Sequence, residues 1–295
     1  MELDELFSVR NLFWCGNFAN AIDEAQQLAP SGDRERIDKD VFIYRSMIAQ
    51  GAGAKVIEAL DAQAEASTDV QTVKLLAVFE TQPAKRESVL ETVKEWLADE
   101  TVRENKLLQL LAATMFFKAG DVKEALRALK TPTDLEQSAL RVQILLSINR
   151  VDLAEKEVKS MQAIDDDSTL TQLAAAALHL SSSGNEYQEA AYAYQEQIDK
   201  TVSTSSLLNG LAVSYIQQKR FDEAEKTLIE ALMKDATNAD LISNLLCCYA
   251  NQRKPKAKFD SVLAKLRAAD PNHPLLVQYE ACEKVFDQIA ASASA

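Results

Sequence analysis

Residues 205–238, SSLLNGLAVSYIQQKRFDEAEKTLIEALMKDATN, decide the fold. Their first half carries an apolar face at Leu208, Leu211, Ala212 and Tyr215, and a polar break follows at Gln217 to Arg220. A second face runs through Phe221, Ala224, Leu228, Ala231 and Leu232. Both halves have the i, i+3, i+4, i+7 spacing of an amphipathic helix. Small residues at Ala212, Ala224 and Ala231 let two helix backbones approach, where bulky side chains would push the axes apart. Tyr215 and Phe221 fill the space beside them. The expectation is a helical hairpin of about 34 residues, the length and layout of a tetratricopeptide repeat.

The pattern recurs. Positions equivalent to Ala224 are Ala21, Val56, Val89, Ala125, Ala154, Ala190 and Phe259, with steps of 35, 33, 36, 29, 36, 34 and 35 along the series. The local strings agree: GNFANAIDEA (16–25), GDVKEALRAL (120–129), NRVDLAEKEV (149–158), NEYQEAAYAY (185–194) and KRFDEAEKTL (219–228). Each is a turn, an apolar anchor and an acid-rich helix start, which suits the positive end of the helix dipole. Prolines respect the same frame. Pro30, Pro132 and Pro271 fall between repeats, Pro83 and Pro255 between the helices of a repeat, and Pro274 opens a final helix. None falls in a helix interior, where it costs ~3 kcal/mol.

The expected fold is therefore all-α: a right-handed superhelical solenoid of about eight tetratricopeptide-like helix pairs with a C-terminal capping helix. The expected repeats are 2–36, 37–68, 69–105, 106–134, 135–169, 170–204, 205–238 and 239–273, with a cap at 274–290 and fraying from Ser292 onward. No flexible linker interrupts them, so 1–295 reads as one domain. The second, third and last repeats are the most degenerate.

Composition bounds the function. With 32 basic and 45 acidic residues the net charge is −13, which disfavours direct binding to nucleic acid or anionic lipid. The start, MELDELF, is acidic and unlike a signal or transit peptide. No apolar run reaches the ~18 residues of a membrane span. Cys15, Cys247, Cys248 and Cys282 lack a paired spacing and read as reduced, which favours a cytosolic setting.

No catalytic, cofactor or metal constellation emerges. His179 and His273 are far apart in sequence, and neither has metal-ligand spacing. His179 lies in LTQLAAAALHL as a helix-surface or packing residue. Asp165–Asp167 lack the alternating ligands and glycine of a calcium loop and read as a turn capping the next helix. Gly51 and Gly53 follow no strand, so they mark a turn and not a phosphate loop. Lys254 and Lys256 are solvated surface.

The informative excess is apolar. In KLLQLLAATMFFK (106–118), Leu108, Ala112, Met115 and Phe116 suffice to pack neighbouring helices, which leaves Leu107, Leu110, Leu111 and Phe117 with more surface to bury. A helix apolar all round must be covered on both sides. First helices line the concave face of stacked repeats. Either the superhelix closes on itself, or it wraps an apolar partner, or degenerate repeats pack more tightly. Helical position alone puts Leu6, Arg10, Phe13, Val41, Arg45, Ile48, Leu110, Thr114, Phe117, Leu178, Asn209, Val213 and Ile216 in that groove. A different reading is a co-chaperone or adaptor binding short peptide termini. Asn209 and Asn244 fit two positions of such a carboxylate clamp, but the lysines it needs are missing.

Particular strings also resemble a known family. LDELFSVRNLFWCGNFANAIDEA (3–25), VFIYRSMIAQ (41–50), VDLAEKEVKSMQAIDDDSTLTQLA (151–174), AALHLSSSGNEYQEAAYAYQE (176–196) and SLLNGLAVSYIQQKRFDEAEKTLIEALMKD (206–235) are similar to the epsilon subunits of coatomer, the COPI vesicle coat. The resemblance spans nearly the whole chain. It implies a non-enzymatic cytoplasmic coat subunit, without cofactor, that joins Golgi membranes and COPI-coated vesicles peripherally through the coat. It also implies that the superhelix wraps a hairpin in the C-terminal region of alpha-coatomer protein and, through it, meets the rest of coatomer. Golgi-to-ER and intra-Golgi transport follow from the same resemblance.

Overall fold

A computed structural model describes residues 4–62 and 67–293. Among them every regular element is helical. The pairs are α1 (Phe7–Trp14) with α2 (Phe18–Gln27), α3 (Asp33–Ala49) with α4 (Gly53–Asp61), and α5 (Thr68–Thr81) with α6 (Arg86–Ala98). Next come α7 (Lys106–Lys118) with α8 (Val122–Ala128), α9 (Leu135–Ser147) with α10 (Val151–Asp165), and α11 (Thr169–Leu180) followed by α12 (Glu186–Lys200). The last are α13 (Ser205–Gln217) with α14 (Phe221–Lys234), α15 (Ala239–Asn251) with α16 (Lys256–Ala269), and the single α17 (Pro274–Ala293). The architecture is a tetratricopeptide-like α-solenoid.

The contact positions read from the sequence all fall on second helices. Ala21, Val56, Val89, Ala125, Ala154, Ala190 and Ala224 are buried, whereas Phe259 is half-buried and meets the Tyr279 ring at 6.1 Å. The short step of 29 residues has a local cause: α8 has only 7 residues.

A recurrent turn joins the two helices of a pair. Gly16, Gly51, Gly120, Asn149, Lys219 and Arg253 all have φ between 52° and 84°. In each case that residue's N–H donates three residues back and the next residue's N–H donates five back, as in Lys219 N to Ile216 O and Arg220 N to Tyr215 O. This is the Schellman arrangement, which satisfies the last carbonyls of a helix while reversing the chain. The fifth helix ends differently: Pro83 opens a 3-10 turn, Pro83–Lys85, that leads into α6.

Several boundaries differ from expectation. The second pair starts at Asp33 and not at 37, because Asp33 and Glu35 stabilise the first turn although the apolar period begins only at Ile37. Asp165 ends α10 and the turn is Asp166 and Asp167, yet no aspartate caps α11; Asp165 accepts from Asp167 N, and Gln172 reaches back to the Asp166 carbonyl. α17 continues to Ala293, so Ser292 is helical; residues 294 and 295 lie outside the described residues.

The chain divides into two compact units, Met1–Ser182 and Ser183–Ala295. The expected pair at 170–204 is shared between them, α11 in the first and α12 in the second. In the first unit α1, α3, α5, α7, α9 and α11 pack side by side in that order, and α1 also packs against α11. Trp14 of α1 lies against the core of Val142, Leu145 and Leu170 built by α9 to α11. The first helices of this unit therefore close into a ring. In the second unit Leu208, Ala212, Ala224, Leu228, Leu241, Leu245 and Leu263 form one continuous core, which Leu276 of α17 completes.

Candidate partner-binding groove

The ring of the first unit borders a half-open cavity of about 790 Å³. That is within the ~300–1,000 Å³ of typical ligand clefts. Trp14, Val41, Phe42, Leu107, Leu110 and Leu170 make its apolar part. Arg10, Arg34, Arg45 and Lys106 supply positive charge, and Asp38, Asp134 and Glu136 negative charge. A mostly apolar groove was the expectation, with Arg10 and Arg45 already among its residues. The lining mixes apolar and charged side chains because the starts of α7 and α9, with their capping Asn105 and Asp134, converge there.

Asn105 caps α7 by accepting from Leu108 N at 2.8 Å and donates from Nδ2 to Asp69 at 2.7 Å. Asp69 is buried and also accepts from Arg34 at 2.5 Å. Arg34 reaches Asp38 at 3.0 Å, while Arg10 reaches Asp4 at 3.0 Å and Asp38 at 3.8 Å. The result is a chain of alternating charges across α1, α3 and α5. Burial raises the Asp38 carboxyl above its ordinary value, against the opposing pull of Arg34 and Arg10. Asp134 caps α9 by accepting from Gln137 N at 2.9 Å.

Arg45 stands out. Only 9% exposed, it lies 4.6 Å from the Phe13 ring centroid and 5.3 Å from that of Phe42. Its guanidinium donates through both terminal nitrogens to the Glu136 carboxylate on α9, a residue 91 positions away. That pair crosses the hollow from α3 to α9. Nearby, the indole N–H of Trp14 is buried without an acceptor.

Of the residues assigned to the groove from sequence, Arg10, Val41, Arg45 and Leu110 come together on this cavity. Leu6 is fully buried in the core under α1 and α2, and Leu178 is buried against α9 and α10. Phe13 sits under Arg45, 5.3 Å from Phe42. Ile48 and Phe117 are half-buried against the central core of the first unit. Thr114 turns its hydroxyl to the Leu110 carbonyl at 2.9 Å. In the second unit Asn209 bonds Asn244, Ile216 packs on the local core, and Val213 is half-buried.

Leu110 and Leu111, expected to need cover beyond the neighbouring helices, are both buried within the closed stack, and Leu110 also lines the cavity. Sequence periodicity missed Trp14, Arg34, Asp38 and Glu136. The available signal was Arg45 itself, a guanidinium set inside the apolar run VFIYRSMIA.

His273 accepts from Leu275 N through Nδ1 at 3.2 Å, and its Nε2 lies 3.3 Å from Asp240. It thereby ties the start of α17 to α15. No group of three metal-ligating side chains occurs among the described residues.

The model of the coatomer epsilon subunit family matches residues 2–294. Coatomer subunit epsilon-1 of Arabidopsis thaliana is 36% identical over 98% of this chain and 97% of its own length. Coatomer subunit epsilon of Caenorhabditis elegans is 33% identical over 99% of both. Among solved structures, the APC/C hetero-tetramer Cut9–Hcn1 superposes with a TM-score of 0.64 at 16% identity, covering 92% of this chain and 54% of that one. A tetratricopeptide repeat protein from Parabacteroides merdae does so at 0.59 and 15%, covering 82% and 96%. At such identities these structures speak for the fold alone.

Proposed function

The chain belongs to the coatomer epsilon subunit family, structural components of the COPI coat that associate with other coatomer subunits, and we propose that it acts without catalysis by binding and stabilising the C-terminal region of alpha-coatomer protein. The observation that carries this reading is a family match over nearly the whole chain, joined to a cavity in the first unit that mixes apolar walls with anchored charges. Tetratricopeptide-like stacks bind other chains along the concave face of their first helices. In this role the subunit is cytoplasmic, reaches Golgi membranes and COPI-coated vesicles through the coat, and serves Golgi-to-ER and intra-Golgi transport. Arg10, Val41, Arg45 and Leu110 are its contact residues in the first unit, and Val213 and Ile216 in the second.

The adaptor reading is less favoured. A carboxylate clamp needs free amides and lysines, but Asn209 and Asn244 bond each other at 2.8 Å.

The test is a size-and-mass measurement of the full chain with and without an alpha-coatomer C-terminal fragment. A stoichiometric complex, insensitive to added peptides ending in a free carboxylate, is expected. Failure to form it rejects the reading. Val213→Asp reports on the second-unit surface with helical content unchanged. Phe117→Asp is the poorer probe because Phe117 also packs on the core and its loss unsettles the fold.

A further inference from the structure

Arg45 carries an inference that rests on the proposed function and deepens it. Its guanidinium is held over Phe13 and Phe42 at the wall of the cavity, so its direction is fixed before any partner arrives. An arginine fork matches a carboxylate, and such a pair is among the strongest and most directional contacts available. The carboxylate now on it comes from Glu136, across the hollow on α9. Glu136 is partly exposed, with 21% of its side chain open to solvent, whereas Arg45 is buried. The cation is thus part of the wall, and its anion is the movable member.

Two further features point to an incoming acceptor. The Trp14 indole N–H faces burial with no acceptor, although its ring lines the same cavity. A buried donor left unmade is costly, so a rearrangement of the wall that brings an acceptor to this N–H is rewarded. The lining also carries four cations and three acids, with Asp4 and Asp69 behind it pairing with Arg10 and Arg34, in a chain whose net charge is −13. An acidic group that enters this cavity therefore meets fixed cations within a chain that is acidic on the whole.

We propose that the cavity of the first unit recognises an acidic side chain, flanked by apolar residues, on the coatomer partner segment, and that this carboxylate displaces Glu136 from Arg45. Glu136 is an internal stand-in that holds the ring closed until the partner supplies its own carboxylate. The apolar flanks meet Val41, Leu107, Leu110 and Leu170.

The test measures affinity of the full-length chain for the alpha-coatomer C-terminal fragment in four forms: wild type, Arg45→Met, Glu136→Gln, and the double variant Arg45→Met/Glu136→Leu. Helical content is recorded for each. Removing the guanidinium is expected to weaken the complex by about tenfold or more. The double variant replaces the pair by apolar groups, a change that buried ion pairs commonly tolerate, so it keeps the fold and shows the same loss. Glu136→Gln is expected to bind more tightly than wild type, because the internal competitor is gone. Equal affinity in all four forms, or weakening by Glu136→Gln to the level of Arg45→Met, overturns the exchange while leaving the proposed function standing. Absence of any wild-type complex overturns both.

Discussion

Asn244 of α15 donates from Nδ2 to the Oδ1 of Asn209 on α13 at 2.8 Å, linking the first helices of two successive pairs. Both side chains are partly buried, and each amide spends hydrogen-bonding capacity on the other. Asn244→Ala leaves the Asn209 carbonyl without its donor. The expected cost is about 1 kcal/mol of stability, the usual size for a lost neutral hydrogen bond. A urea titration followed by circular dichroism checks it. No shift in midpoint would mean that the bond is solvated and contributes nothing.

The pair turns make a second prediction with two signs. Lys219 has φ +61°, a conformation that disfavours side chains, so Lys219→Gly is expected to stabilise by about 1 kcal/mol. At Gly120, φ is +84° and an added Cβ would meet nothing within 4 Å, so Gly120→Ala isolates the conformational term and is expected to destabilise by about 1 kcal/mol. Thermal melts moving in the same direction for the two variants would contradict the shared turn geometry.

Much of this architecture was legible because one short-range rule repeats. Ala154, Ala190 and Ala224 mark where second helices touch first ones, and small buried residues at a fixed period are visible without any knowledge of distant contacts. The start of α3 was not, since DRERIDKD has no apolar period and is helical through its charges and its neighbours. The ring was harder still. Whether Leu110 faces a partner or its own fold depends on how far the stack curves before α1 meets α11, and curvature accumulates from small rotations that no single repeat records. The Arg45–Glu136 pair follows from that curvature, which is why residues 91 apart could not be matched from their local strings.

Thiol reactivity separates the four cysteines. Cys282 lies exposed on α17, while Cys15 and Cys248 are buried. Burial pushes the Cys248 thiol up to about 12 and raises Cys247 as well. Because the thiolate is the reacting form, iodoacetamide at pH 8 is expected to modify Cys282 first and Cys248 only on unfolding. Peptide mass spectrometry over time reads the order. Early labelling of Cys248 would show that α15 opens readily from the core of the second unit.

At the α9–α10 turn, Arg150 grips Asp152 with two bonds of 2.8 Å, from Nε to Oδ1 and from Nη2 to Oδ2. The hydrogen bonds from Arg150 lower the Asp152 carboxyl from 3.8 to about 2. A depressed carboxylate favours the folded state when it is ionised. Its contribution is therefore complete above about pH 3.8 and fades as the pH falls through about 2. Both side chains are exposed to solvent, so salt weakens the pair. Carbon-13 titration of the Asp152 carboxyl is expected to show a midpoint near 2 at low salt, returning to the ordinary aspartate range in Arg150→Gln. An unchanged midpoint in that variant would assign the shift to the start of α10, whose first turn Asp152 occupies, and not to the guanidinium.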